Sequence, residues 1–409
     1  MATIRPFTAL RPKKDLAKEI ASPPYDVLNS DEARKAASGK PNSFLHITKS
    51  EIDLPENIDT HSQQVYDKAN ENLKSFEQKG ILFRDKTACY YIYQLVMDGK
   101  SQTGLVCVSS VDDYEKDIIK KHELTRPDKE LDRINHMKTI GAQTGNVFLA
   151  YKANESLNKI IEDWKSNHQP EYAFTADDGI GHTVWVVNDE QVNNSITKLF
   201  AEKIPFTYIA DGHHRAASAA KVRAALGDKS TDAANYFLTT LFPSDQLHIL
   251  AYNRVVKDLN GMSEEEFLKK LEHNFLVGKL DKPFAPSGLH EFGMYLNGSW
   301  YELVAKKNSY TEDPIGVLDV TILQENILDK ILAIKDVRTD KRIDFVGGIR
   351  GLSELEKRVN SGEMKVAFSL HPVSIQQLFD IADSGQIMPP KSTWFEPKLR
   401  DGLLTHLIR

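Results

Sequence analysis

Residues 206–227 read Phe-Thr-Tyr-Ile-Ala-Asp-Gly-His-His-Arg-Ala-Ala-Ser-Ala-Ala-Lys-Val-Arg-Ala-Ala-Leu-Gly. The run Phe206 to Ala210 is short and apolar, as a buried strand requires, and Asp211-Gly212 is a turn pair. Residues 213–226 are alanine-rich and helix-forming, with Gly227 as the stop. A strand–turn–helix unit of this kind presents the free N–H groups and the positive end of a helix at the turn, which makes it a cradle for an anion. Gly212 lets a phosphate approach the backbone, while His213, His214 and Arg215 add donors. The competing reading is plainer: Asp211 caps the helix and the histidines are surface polar groups.

Outward from this unit the chain alternates helical and strand patterns. Helices are expected over 57–79, 128–143, 155–167 and 189–202, and strands over 88–97, 103–111, 146–151 and 183–187. Asp98-Gly99 joins the first two strands as a hairpin turn. The alternation argues for an α/β or α+β fold. Residues 1–29, punctuated by Pro6, Pro12, Pro23 and Pro24, should be extended and looped rather than helical. Beyond residue 260 come helices near 263–273 and 316–333 and an Asn297-Gly298 hairpin, so a boundary is placed there, giving regions 1–260 and 261–409. The proline-rich end around Trp394 and Phe395 should be ordered.

The chain has 409 residues, 52 basic against 58 acidic for a net charge of −6, and 27% charged residues. That balance gives no bulk attraction to nucleic acid, and no stretch has the roughly 18 apolar residues of a membrane span. Two cysteines, Cys89 and Cys107, build neither a disulfide scaffold nor a four-cysteine zinc site and are expected in the core. A cytoplasmic protein is the expectation, and the first residues lack the apolar core of a secretory signal.

Three further segments could carry chemistry. Lys120-Lys121-His122-Glu123-Leu124-Thr125-Arg126 combines a possible base, Glu123, with cations, although a solvated charged face would look the same. Ala21-Ser22-Pro23-Pro24-Tyr25-Asp26-Val27 is a rigid loop showing an aromatic and a carboxylate, unless Asp26 caps a helix near Ser30. Pro389-Pro390-Lys391-Ser392-Thr393 offers a lysine and hydroxyls to a phosphate or carboxylate, or else pins the tail. The chain has no P-loop, full dinucleotide fingerprint, His-Glu-x-x-His or Gly-x-Ser-x-Gly. A metal on Asp211, His213 and His214 is disfavoured because adjacent side chains at a helix start diverge.

With Asp211-Gly212-His213-His214-Arg215, Pro23-Pro24-Tyr25-Asp26-Val27, His122-Glu123-Leu124-Thr125 with Asp132-Arg133, Leu318-Asp319-Val320 and Met388-Pro-Pro-Lys-Ser-Thr-Trp-Phe, the chain resembles the prokaryotic family catalogued as domain of unknown function 1015. The pentapeptide is also similar to the phosphate turn of the ParB/sulfiredoxin superfamily, which includes free-serine kinases. That resemblance implies a ParB/sulfiredoxin-like core with an N-terminal extension and a C-terminal α/β region. It implies binding of ATP or ADP with magnesium at Asp211, Gly212, His213, His214 and Arg215, with Glu123 as the catalytic carboxylate acting on a small hydroxylated substrate such as L-serine. Asp26, His122, Arg126 and Lys391 would line the substrate pocket. The kinases are much shorter than this chain, and no cysteine lies near residue 211, which disfavours sulfiredoxin chemistry. No basic recognition helix of the ParB kind is visible. A nucleotide-binding regulatory protein without turnover and a phosphate-ester hydrolase are the alternatives.

Overall fold

The computed structural model describes residues 1–227 and 230–409. Two compact units form, one from Met1–Leu247 with Pro397–Arg409, the other from His248–Glu396. The expected mixture of helices and strands is observed.

The first unit is built on a nine-stranded mixed sheet. Its strands in chain order are β1 (Ile4–Arg5), β2 (Tyr90–Met97), β3 (Lys100–Ser110), β4 (Ile119–Lys120), β5 (Val147–Tyr151), β6 (Tyr172–Thr175), β7 (Gly181–Val187), β8 (Thr207–Asp211) and β9 (Tyr236–Pro243). Across the sheet the order is β4-β8-β5-β9-β3-β2-β7-β6, with β1 paired to β3. Asp98 and Gly99 adopt φ of 52° and 75°, the left-handed pair that a two-residue hairpin between β2 and β3 needs. Cys89 and Cys107 are buried and free, packed as small hydrophobes.

The longer helices of this unit are α1 (Gln63–Gln78), α2 (Pro127–Ile140), α3 (Glu155–Asn167), α4 (Glu190–Lys203) and α5 (His213–Leu226). Asn154 and Asp189 cap α3 and α4 by accepting the N–H groups of Leu157 at 3.1 Å and Val192 at 2.9 Å. In α5 the buried residues include Ala216, Ala217, Ser218, Ala219 and Ala220. Small side chains on most of its circumference let α5 pack on neighbours on several sides, and Ser218 Oγ donates to the Glu130 carbonyl on α2 at 3.2 Å.

Three sequence expectations need correction. Residues 1–29 are not wholly extended, since a 3-10 turn at Lys14–Leu16 runs into a short helix at Ala17–Ile20, a stretch with no proline to forbid it. The helix placed over 57–79 starts only at Gln63, because Asp59 holds the His61 N–H in a turn at 2.9 Å. The helix placed over 316–333 is an α-helical turn at Asp319–Leu323 followed by a π-helical one at Gln324–Asp329; upstream, the Asp313 carboxylate takes the N–H groups of Ile315 and Gly316, each at 3.1 Å, and keeps that segment in a turn.

The second unit has an antiparallel six-stranded sheet formed by β10 (Tyr252–Val256), β11 (Phe275–Leu280), β12 (Glu291–Leu296), β13 (Ser299–Ala305), β14 (Ile343–Gly347) and β15 (Val366–Leu370), in the order β11-β13-β12-β15-β10-β14. Asn297 and Gly298 form the expected hairpin turn, and Trp394–Phe395 pairs with Ile249–Leu250. Among the described residues no helix is long and apolar enough to cross a membrane.

Candidate functional site

Strands β4 and β8 lie side by side and parallel, with Ile119 opposite Thr207 and Lys120 opposite Tyr208. Their carboxyl ends therefore open in the same direction, the edge where α/β sheets place ligand loops. Past the end of β8 the chain turns at Gly212, with φ 98° and ψ 30°, straight into α5. A Cβ there would be strained and would stand 3.1 Å from the Arg215 guanidinium carbon. Asp211 is the last strand residue and Gly212 the helix cap, so the plain capping role for Asp211 does not hold. Nor does Asp26 cap the helix at Ser30; Asn29 does, through a capping box with Glu32.

Past the end of β4 comes His122-Glu123, and the two histidines of α5 fasten it. The backbone N–H of His122 points at His213 Nε2 at 3.5 Å, and that of Arg126 donates to His214 Nε2 at 2.9 Å. Both imidazoles are thus acceptors at Nε2, which puts the proton of each neutral ring on Nδ1. Burial lowers the pKa of both rings, that of His213 strongly, and for His213 the adjacent His122 adds to the effect. The proton-bearing Nδ1 of His213 faces Glu123 Oε2 at 3.6 Å. The Glu123 side chain is half exposed while His213 is buried. His122 packs edge-on against His213 with centroids 4.6 Å apart; burial takes it down to about 4, and its Nδ1 is enclosed without a hydrogen-bond partner.

Arg215 is buried beneath the turn. One Nη donates to the Asn146 carbonyl, the other to Asp211 Oδ2 at 2.8 Å, and the latter also lies 3.6 Å from Asp26 Oδ2. Its Nε is enclosed and unpaired. Burial pulls this guanidinium down, but Asp26 and Asp211 outweigh burial and hold it above the ordinary arginine value. Both outer nitrogens of Arg215 thus have protein partners. Burial likewise works to raise Asp211, yet Lys398, Arg215 and His213 hold the carboxyl well below its usual range, with Lys398 Nζ 3.9 Å from Asp211 Oδ2.

Of the residues expected at the site, Asp26, His122, Glu123, Asp211, Gly212, His213, His214 and Arg215 are brought together. Arg126 joins through its backbone, since its guanidinium is engaged by Asp128 at 2.8 Å. Lys391 belongs to the second unit. Sequence reasoning missed Lys398 and Asp401, which return with the terminal segment. Ser22 and Asp401 exchange backbone hydrogen bonds at 3.1 and 3.0 Å, and burial pushes the Asp401 carboxyl up to about 8 against the pull of Arg215. It missed also that Arg133 lies over the Tyr25 ring at 3.9 Å and that both help line a small pocket with Gly145, Val147 and Arg215. Among the described residues no group of three His, Cys, Asp or Glu is arranged to hold a metal.

The family model for proteins of unknown function DUF1015 matches residues 4–321. No curated protein matches the sequence. Solved structures similar to the chain include a point mutant of a free serine kinase in complex with AMP, at 12% identity and TM-score 0.38, covering 74% of this chain and 91% of that one. A conserved hypothetical protein from Pyrococcus furiosus is similar at 12% identity and TM-score 0.36, covering 74% and 94%. SbnI with a C-terminal truncation, from Staphylococcus aureus, is similar at 12% identity and TM-score 0.33, covering 74% and 87%.

Proposed function

The chain belongs to the DUF1015 family, and from that premise and the site geometry we propose that it is a nucleotide-dependent phosphotransferase acting on the hydroxyl of a small metabolite, with free L-serine the preferred acceptor. The observation that carries this reading is the Glu123 carboxylate standing 3.6 Å from the His213 ring at the first turn of α5. A carboxylate beside a helix start is the pairing that phosphoryl transfer needs, with a base for the incoming hydroxyl next to donors for the phosphate oxygens. The sequence resemblance to the ParB/sulfiredoxin-like serine kinases supports the same assignment.

In this reading the phosphates of ATP or ADP lie against the amides at the start of α5, while the missing Cβ of Gly212 leaves room for the Arg215 guanidinium below the turn. Arg215 holds Asp211 and Asp26 in place from below. The acceptor hydroxyl approaches the terminal phosphorus, its proton passes to Glu123, a new P–O bond forms and the bond to the departing nucleotide breaks. The Nδ1–H of neutral His213 orients the Glu123 carboxylate for this. Magnesium would enter with the nucleotide, held mostly by phosphate and water oxygens, with Asp211 and Asp26 as the carboxylates at hand, and would neutralise phosphate charge.

Purified protein incubated with ATP or ADP, magnesium and a panel of hydroxy amino acids should yield phosphorylated acceptor. Glu123→Gln should lower turnover by about 10²-fold or more with nucleotide affinity retained. Nucleotide binding with no product from any acceptor would favour a regulatory protein, and release of phosphate from phosphoserine alone a hydrolase.

A further inference from the structure

Arg254 lies in the middle of β10, between β14 and β15, opposite Phe345 on one side and Phe368 on the other. It is 3% exposed. Its guanidinium donates to two carbonyls only, those of Tyr252 and, at 3.0 Å, Lys391. Among the described residues no carboxylate pairs with it. A buried cation met only by carbonyls and, at 5.4 Å, by the Phe345 ring carries a charge that no described carboxylate cancels, a costly arrangement that a bound anion would relieve. Three of its five N–H groups remain beyond these two bonds.

A second cation stands at the same place. Lys391 is exposed, its Nζ lies 5.5 Å from the Tyr252 ring centre, and its backbone has φ 59°, a left-handed conformation that non-glycine residues seldom adopt. The nearest acid in sequence, Glu396, accepts from the Trp394 indole at 2.8 Å. We propose that Arg254 and Lys391 form an oxyanion-binding site of the second unit, which takes a carboxylate or phosphoryl group. The planar guanidinium supplies directional donors, and the flexible lysine closes over the ligand as a mobile charge. Burial without an acid also takes the Arg254 pKa down to about 10.

Trp394 packs edge-on against Tyr252 with centroids 4.9 Å apart, so its emission reports on this site. The full-length protein should show a saturable change in tryptophan emission with inorganic phosphate, acetate or L-serine, and Trp394→Phe should remove it. A response to phosphate alone marks a phosphoryl site, and a response shared by acetate and L-serine a carboxylate site. Lys391→Ala should weaken the response about tenfold, and Arg254→Gln should abolish it. No saturable response in the native protein, or one unchanged in Lys391→Ala, overturns the proposal. Because Lys391 is exposed, that variant keeps the test decisive even if Arg254→Gln fails to fold. Since the readout is local to the second unit, its failure leaves the phosphotransferase reading standing, and the reverse holds equally.

Discussion

Arg215 and Arg254 are both buried arginines, one in each unit, and they are held in opposite ways. Arg215 is flanked by Asp211, Asp26 and Asp401, which favour its charged form; Arg254 sits among carbonyls and phenyl rings, where burial disfavours the charged form without a carboxylate to offset it. The first has its charge met by the protein's own carboxylates and shapes the turn above it. The second is half of a pair. Burial alone therefore does not mark a guanidinium as a ligand site; what decides is whether the protein itself supplies the counter-charge.

The sharpest way to break this contrast is to remove each guanidinium. Arg215→Met leaves Asp211, Asp26 and the buried Asp401 without their cation and should destabilise α5 by about 3 kcal/mol. Arg254→Met removes an uncancelled charge along with two hydrogen bonds, so its net cost should be smaller, about 1–2 kcal/mol. Hydrogen exchange resolved to α5 and to β10 measures both as local opening free energies. Equal losses would mean that the two arginines are structural clips of one kind.

How much of this was legible in the sequence differs between the two places. The strand–turn–helix at 206–227 was readable because a short apolar run gives way, across Asp211-Gly212, to an alanine-rich stretch closed by Gly227, and Gly212 takes a positive φ as a turn glycine can. That His122-Glu123 would meet it was not readable from spacing, since His122 and His213 are 91 positions apart and are joined through a β4 strand of two residues, too short to leave a pattern. Lys398 and Asp401 were hidden for a related reason: they reach the turn by a chain return that no local periodicity records. Arg254 sits in Tyr-Asn-Arg-Val-Val, where its alternation looks like that of any strand, and only the absence of a carboxylate partner among the described residues sets it apart.

Gly212→Ala tests how tightly Arg215 is built into the turn. The new Cβ would face the guanidinium at 3.1 Å on a backbone with φ 98°, so a loss of about 1–3 kcal/mol in denaturant melts is expected. A neutral result would show that the Arg215 network can shift and is looser than its opposite number in β10.

The smallest effect is a pH slope, to which the acid-rich surroundings of Arg215 contribute and those of Arg254 do not. Asp401 has an ordinary value of 3.8 and is pushed up to about 8, by burial first and by Asp26 among its neighbours. Between those values the folded chain holds a proton that the unfolded chain has released. The stability contributed by Asp401 is therefore whole below about pH 4 and drains away as pH rises through 8. Asp211, held below its usual range, works the other way and loses its contribution as pH falls below about 4. Unfolding free energies should accordingly decline from pH 5 to pH 8 with a slope on the order of 1 kcal/mol per pH unit attributable to Asp401. Asp401→Asn should reduce that decline, whereas Arg254→Met should leave it intact because no carboxylate among the described residues pairs with Arg254. Asp319, which burial raises to about 7, leaves part of the decline in place; a slope left unchanged by Asp401→Asn would remove the pH signature that separates the two arginines.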